Sequence, residues 1–218
     1  MPTSCLLYEI ETSVDLSAVK SRAENNYSNT RNHNSSGNTL ETDLLNIDDT
    51  SRGFSCTLRY DYAAKRGARP GMSQWYIDVK QTPVRFTPDH FIIIGSKHTG
   101  RELSEIRELL KISESDYTPF SITQGVIASA AGQDAQREEQ GSWEGIDNDT
   151  DTGIIYGDVD QSSYAADFDN AGNVTYLKYE SQNYPGSVGL SANQNSVVFW
   201  TNSWDRDEME DYIYDVLI

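Results

Sequence analysis

Phe54-Ser55-Cys56-Thr57-Leu58-Arg59-Tyr60-Asp61-Tyr62 alternates apolar with polar side chains without a break. Successive side chains of a strand point to opposite faces, so this period of two predicts a strand with one buried face. Phe54, Cys56, Leu58, Tyr60 and Tyr62 fall on one side, and Ser55, Thr57, Arg59 and Asp61 on the other. Residues 63–73 follow as a hairpin loop with Lys65, Arg66 and Arg69 among Gly67, Pro70 and Gly71. Residues 75–79 form the returning strand, with Trp75, Ile77 and Val79 opposite Tyr76 and Asp78. Val84-Arg85-Phe86, a Thr87-Pro88-Asp89-His90 turn and Phe91-Ile92-Ile93-Ile94 then predict a second, tight hairpin. Leu103, Ile106, Leu109 and Leu110 have the spacing of an amphipathic helix over about 101–112. Thr99 stands as its cap and Glu102 as the capping-box partner.

This segment also concentrates the positive charge. Residues 52–111 hold eleven of the seventeen Lys and Arg but only six of the thirty-four Asp and Glu. They carry +5, while the rest of the chain carries −22, giving the net −17. Arg and Lys neutralise phosphates, and Arg binds them bidentately, so the island predicts an anionic partner. The candidate nucleic-acid contacts are Arg59, Lys65, Arg66, Arg69, Lys80, Arg85, Phe86, Lys97 and Arg101. The bland alternative is that these cations pair with the acidic remainder or dock an acidic protein.

Six Lys against eleven Arg, abundant Asp and low hydropathy suggest a halophilic source, whose acidic surface stays hydrated in strong salt. Molar salt shortens the screening length to about 3 Å, so charge alone would hold nucleic acid poorly. Apolar or stacking contacts must then contribute, which directs attention to Trp75, Tyr76, Phe86 and Phe91.

Outside the island, residues 5–10 read as an opening strand and Asp15 as the cap of a helix over 16–24. Residues 25–38, rich in Asn and Ser, read as a long loop. Leu40, Leu44, Leu45 and Ile47 are apolar anchors without an assigned element. Residues 120–131 fit a helix or a buried segment, and 132–153, dense in acids, read as a solvated connector. Strands are expected at 154–156, 164–168 and 174–179, with a turn at 169–173 between the last two. Short strands at 188–190 and 197–200 precede a final helix to Ile218. Asp205 or Asp207 caps it, and Met209, Ile213, Val216 and Leu217 point inward.

Residues 91–112 and 197–218 align without a gap at an offset of 106, each an apolar strand, a polar turn and a helix. The expected fold is α+β: two similar halves, each a twisted antiparallel sheet packed against a C-terminal helix. The first half spans 1–112, the acidic connector or insertion 113–153, and the second half 154–218.

Val84-Arg85-Phe86-Thr87-Pro88-Asp89-His90-Phe91-Ile92-Ile93-Ile94-Gly95-Ser96-Lys97, followed by a helix, resembles the closing part of a TATA-binding-protein repeat. The resemblance implies a saddle of two repeats whose concave sheet binds and bends duplex DNA through the minor groove. It casts Phe86 as a wedge, with Leu190 as its counterpart in the second half. The Asn-rich loop and the acidic connector have no place in that family.

Catalytic signals are thin. Asp158, Asp160, Asp167 and Asp169 make two Asp-x-Asp pairs of a kind that holds Mg²⁺ in nucleases, but such pairs arise by chance in a chain this rich in Asp. Asp167, Asp169 and Gly172 match a calcium loop only in part, because Ala171 occupies a ligand position. Lys97 and Gly100 do not complete a phosphate-binding loop. His33, His90 and His98 are scattered. Cys5 and Cys56 read as buried thiols rather than as a metal or disulfide pair. With no apolar run of membrane length and no leader, the expected location is intracellular, in the cytoplasm, with no membrane contact. The sequence thus points to a non-enzymatic nucleic-acid-binding or regulatory protein without cofactor or metal, with duplex DNA the favoured ligand. The alternative is a protein-interaction module that docks an acidic partner, and the third reading is a metal-dependent nuclease.

Overall fold

The computed structural model of the chain describes residues 2–11, 14–25, 27–66, 74–95, 100–146, 151–159, 161–200 and 202–218. The fold is mixed α+β and built mostly of antiparallel strands. Glu9–Thr118 forms one compact unit, and Met1–Tyr8 with Pro119–Ile218 the other. Among the described residues no helix is long and apolar enough to cross a membrane.

The chain opens with β1 (Thr3–Ile10) and α1 (Leu16–Glu24). Asp15 caps α1, accepting the Ala18 N–H at 3.1 Å. Then come β2 (Ser28–Asn32), β3 (Thr39–Asp49), β4 (Phe54–Arg66), β5 (Gln74–Phe86), β6 (His90–Ile94) and α2 (Gly100–Leu110). From β2 to β6 each strand pairs antiparallel with the next. β4 and β5 are in register along their whole length, from Phe54 opposite Phe86 to Arg66 opposite Gln74.

The alternation in β4 works as its pattern requires. Phe54, Cys56, Leu58 and Tyr60 are buried, as are Val84 and Phe86 beside them, and Val19, Ala23, Ile106 and Leu109 supply the helical side of this core. Both cysteines are buried and neither forms a disulfide. Burial, only partly offset by the charge of Arg85, pushes the Cys56 thiol up to about 12.

After α2 comes the short β7 (Tyr117–Pro119), and the other unit then contains α3 (Gln124–Asp134), β8 (Ala135–Glu144), β9 (Thr152–Tyr156), α4 (Ala165–Ala171), β10 (Asn173–Ser181), β11 (Ser187–Ser191), β12 (Ser196–Trp200) and α5 (Arg206–Tyr212). Its strand order is β1-β12-β11-β10-β8-β9, antiparallel throughout. Asp205 and Glu208 form a reciprocal capping box at the start of α5, both bonds 2.8 Å, and Ile213–Leu217 continues it as a π-helical turn. Met209, Ile213 and Leu217 are buried. Tyr212 meets the Phe199 ring edge-on and shares a short hydroxyl contact with Tyr179.

Several expectations give way. Residues 75–79 and 84–86 belong to one strand, β5, rather than two. Part of the Asn-rich loop is β2, and the unassigned anchors at 40–47 lie on β3. The supposed acidic connector contains α3's last turn and all of β8, whose charges are matched across the strands: Glu139 lies 2.7 Å from Lys178, and Arg137 3.4 Å from Glu180. Residues 164–168 are not a strand but run into α4, which also absorbs most of the expected turn at 169–173. The opening strand residues up to Tyr8 belong to the same compact unit as 119–218. Thr99, the expected cap of α2, lies outside the described residues.

Candidate nucleic-acid interface

The β4–β5 ladder determines which side chains can meet a ligand. One face turns toward the helices: Tyr60 Oη and Thr82 Oγ1 donate to Glu102 Oε1 of α2 at 2.8 and 2.9 Å. The opposite face therefore carries Ser55, Thr57, Arg59, Asp61, Ala63 and Lys65 beside Arg85, Pro83, Gln81, Val79, Ile77 and Trp75. On it Ile77 is 41% and Val79 52% exposed, an apolar pair on an open sheet surface. Trp75, half-buried, has Lys65 Nζ 5.8 Å above its ring and the His33 ring edge-on at 4.9 Å. An ammonium held over an indole face is attracted by the ring's quadrupole, which orders the end of this face.

The predicted contact residues separate. Arg59 and Lys65 lie on the open face, with Arg59 engaged by Asp43 of β3 directly opposite it. Arg66 ends β4, and Arg101 lies in the first turn of α2. Arg69 and Lys97, like His98, lie outside the described residues. Lys80 is on the helix-facing side, its Nζ 2.9 Å from Glu102 Oε1 and 6.0 Å from the Tyr60 ring. Arg85 is on the open face by register but only 7% exposed.

Phe86 is 1% exposed, stacked on Phe54 at 4.9 Å and packed against Phe91. Withdrawing it to wedge into a ligand would forfeit about 2 kcal/mol of burial. Its proposed counterpart, Leu190, is fully buried as well. Tyr76 falls on the helix-facing side of β5 by alternation, and Phe91 is buried. The apolar surface on offer is thus Ile77 and Val79, which the alternation of β5 had placed with Trp75 but which nothing in their composition marked as exposed.

A half-buried cluster lies in the other unit. Lys178 Nζ sits 4.9 Å above the Trp200 ring and 2.7 Å from Glu139. Burial works to raise the Glu139 carboxyl, but hydrogen bonds from Lys178 and Ser187 outweigh it and hold the group below its ordinary value. The Tyr176 hydroxyl passes over Gly189, where a Cβ would collide with it and would come within 3.1 Å of Trp200 Nε1.

The nuclease reading gains no geometry. Asp160 is outside the described residues, Asp167 and Asp169 lie on α4, and Asp169 accepts the Trp143 indole N–H at 2.8 Å. Among the described residues no group of three or more His, Cys, Asp or Glu side chains could hold a metal ion. Compared with models of known protein families and with curated proteins, the chain matches none.

Proposed function

We propose that this chain is a non-enzymatic, regulatory nucleic-acid-binding protein that meets duplex DNA with the open face of β4 and β5. The observation that carries the reading is the exposure of Ile77 and Val79 on the same face as Arg59 and Lys65. Sheet-based readers of the minor groove combine apolar insertion with cationic contacts to phosphate, and this face offers both. The resemblance to a TATA-binding-protein repeat supports it: β5 ends at Phe86, a tight turn leads into the apolar β6, and α2 follows. So does the offset of 106, at which β6 and β12 begin (His90, Ser196) and α2 and α5 begin (Gly100, Arg206). Two similar halves rest on that correspondence, and the halophilic source and cytoplasmic location on composition. Apolar contact in place of Phe86 falls to Ile77 and Val79.

A second reading, a protein partner on the same face, is favoured by Asp43 and Asp61. Asp43 pairs with Arg59 and offsets its charge, and Asp61 adds a carboxylate to the same face, leaving the apolar pair as the main feature. Fluorescence anisotropy with duplex DNA and duplex RNA over a salt series separates the two. Ile77→Ser with Val79→Ser should weaken binding at every salt concentration. Lys65→Glu should reduce the slope of log K against log salt by about 0.9, the share of one neutralised phosphate. Absence of binding by the unaltered chain at every salt concentration removes the nucleic-acid reading and leaves the protein partner.

A further inference from the structure

Strand β9 stands at the end of its unit's strand order, paired on one side by β8, and among the described residues no strand pairs its other side. Two hydrogen bonds fix which of its backbone groups face that open side. Gly145 donates its N–H to the Asp151 carbonyl at 2.8 Å, and Gly157 donates to the Glu139 carbonyl at 2.9 Å. In an antiparallel ladder such bonded pairs recur at every second residue. Gly153 and Ile155 therefore bond toward β8, and the N–H and C=O groups of Thr152, Ile154 and Tyr156 point outward. Side chains divide in the same way. Ile155 packs against the cluster of Trp143, Ile146 and Val159, while Ile154 is 54% and Tyr156 73% exposed. Edge strands are ordinarily protected by charge, proline or a covering element. β2, an edge in the other unit, is polar throughout and carries Arg31, whereas β9 has neither a charge nor a proline.

We propose that β9 docks an extended peptide as an added strand, one with apolar side chains at alternate positions and Lys or Arg at its ends. Main-chain bonds to Thr152, Ile154 and Tyr156 supply affinity, and apolar side chains beside Ile154 and Tyr156 set the register. Charge selects the partner. Residues 138–177 contain ten Asp and Glu and no Lys or Arg, and exposed Asp151 and Asp158 bracket β9. The cations that border this run in sequence, Arg137 and Lys178, are both ion-paired with Glu139, and Arg137 with Glu180 as well. A second copy pairing β9 with β9 would set two such acidic runs side by side, whereas a basic peptide neutralises one. This edge lies in the unit of residues 119–218 and is independent of what the open face of β4 and β5 binds.

The test is an anisotropy titration with the labelled peptide Lys-Val-Thr-Val-Thr-Val-Lys, whose lysines fall beside Asp151 and Gly157 when its central valine faces Ile154. A peptide with Glu at both ends should bind at least about tenfold more weakly at low salt, and the gap should narrow as salt rises. Adding the lysine peptide should slow hydrogen exchange at the amides of Thr152, Ile154 and Tyr156. Ile154→Pro removes an outward N–H, and proline is tolerated where the N–H side of an edge strand faces solvent. Binding should be lost while circular dichroism and the unfolding midpoint change little. Ile154→Thr with Tyr156→Thr keeps strand-forming residues on the edge and should weaken binding at least about tenfold. The proposal is overturned by no binding of the lysine peptide, by binding that leaves those three amides unslowed, by equal binding of the Glu-ended peptide at low salt, or by a dimer of the chain alone that Ile154→Pro dissolves.

Discussion

Lys80 Nζ lies 2.9 Å from Glu102 Oε1, a carboxylate in a side chain 1% exposed, and the same oxygen accepts from Tyr60 and Thr82. The ion pair joins α2 to β5 at the back of the open face. A lysine that composition assigns to a ligand is thereby committed to the fold.

Removing the acceptor should therefore cost more than removing a surface charge. Glu102→Ala takes away the buried carboxylate that Lys80 and two hydroxyls share, and should destabilise the protein by about 3 kcal/mol. The midpoint of urea unfolding measures it. Lys65→Ala, on the exposed face, should move that midpoint little, by about 0.5 kcal/mol or less.

Tyr179 and Tyr212 hold each other's hydroxyl in a buried contact. Tyr179→Phe or Tyr212→Phe alone strands a buried hydroxyl and should cost about 1–3 kcal/mol. Changing both removes the stranded group, so the double variant should be more stable than the sum of the two singles predicts. A double-mutant cycle by denaturant melts reads the difference.

Gly141 lies against the Trp143 ring, where an added Cβ would overlap the indole. Gly141→Ala should shift Trp143 out of the cluster it forms with Ile146 and Val159, costing about 1–3 kcal/mol. A fall in the unfolding midpoint with a red shift of tryptophan emission is the expected pair of signals.

Stability should fall in alkali. Burial raises the Cys56 thiol from 9.0 to about 12 and, with the nearby Asp215, the Tyr184 hydroxyl from 10.0 to about 12. It raises the Tyr27, Tyr179 and Tyr212 hydroxyls too. In each case the folded protein keeps a proton that the unfolded chain releases sooner. The contribution is complete below about pH 9 and is lost as pH rises through the folded values near 12. Denaturant melts across that window should show a steady decline, and Cys56→Ala should flatten its lower end.

Sequence by itself determined the elements whose partners are near in the chain or whose period is unbroken. Asp15 caps its helix as read, and Asp205, one of the two candidates, caps the last, because a cap needs only the next three residues. The buried side of β4 follows from its alternation, since apolar groups spaced by two can all leave water together only in a strand. Lys80, Gln81, Thr82 and Pro83 break that pattern in β5, so one strand reads as two; its continuity comes from pairing with β4 along the full length. β8 was illegible for a similar reason: its charges are balanced by Lys178 and Glu180 on β10, some forty residues away, and Trp143 is its one large apolar anchor. Whether a side chain of the basic island meets ligand or core was likewise settled by tertiary packing alone. Register sends Arg59 and Lys65 outward, Lys80 to Glu102, and Phe86 into the aromatic stack with Phe54, and no local spacing encodes which of the two sheet faces the helices will cover.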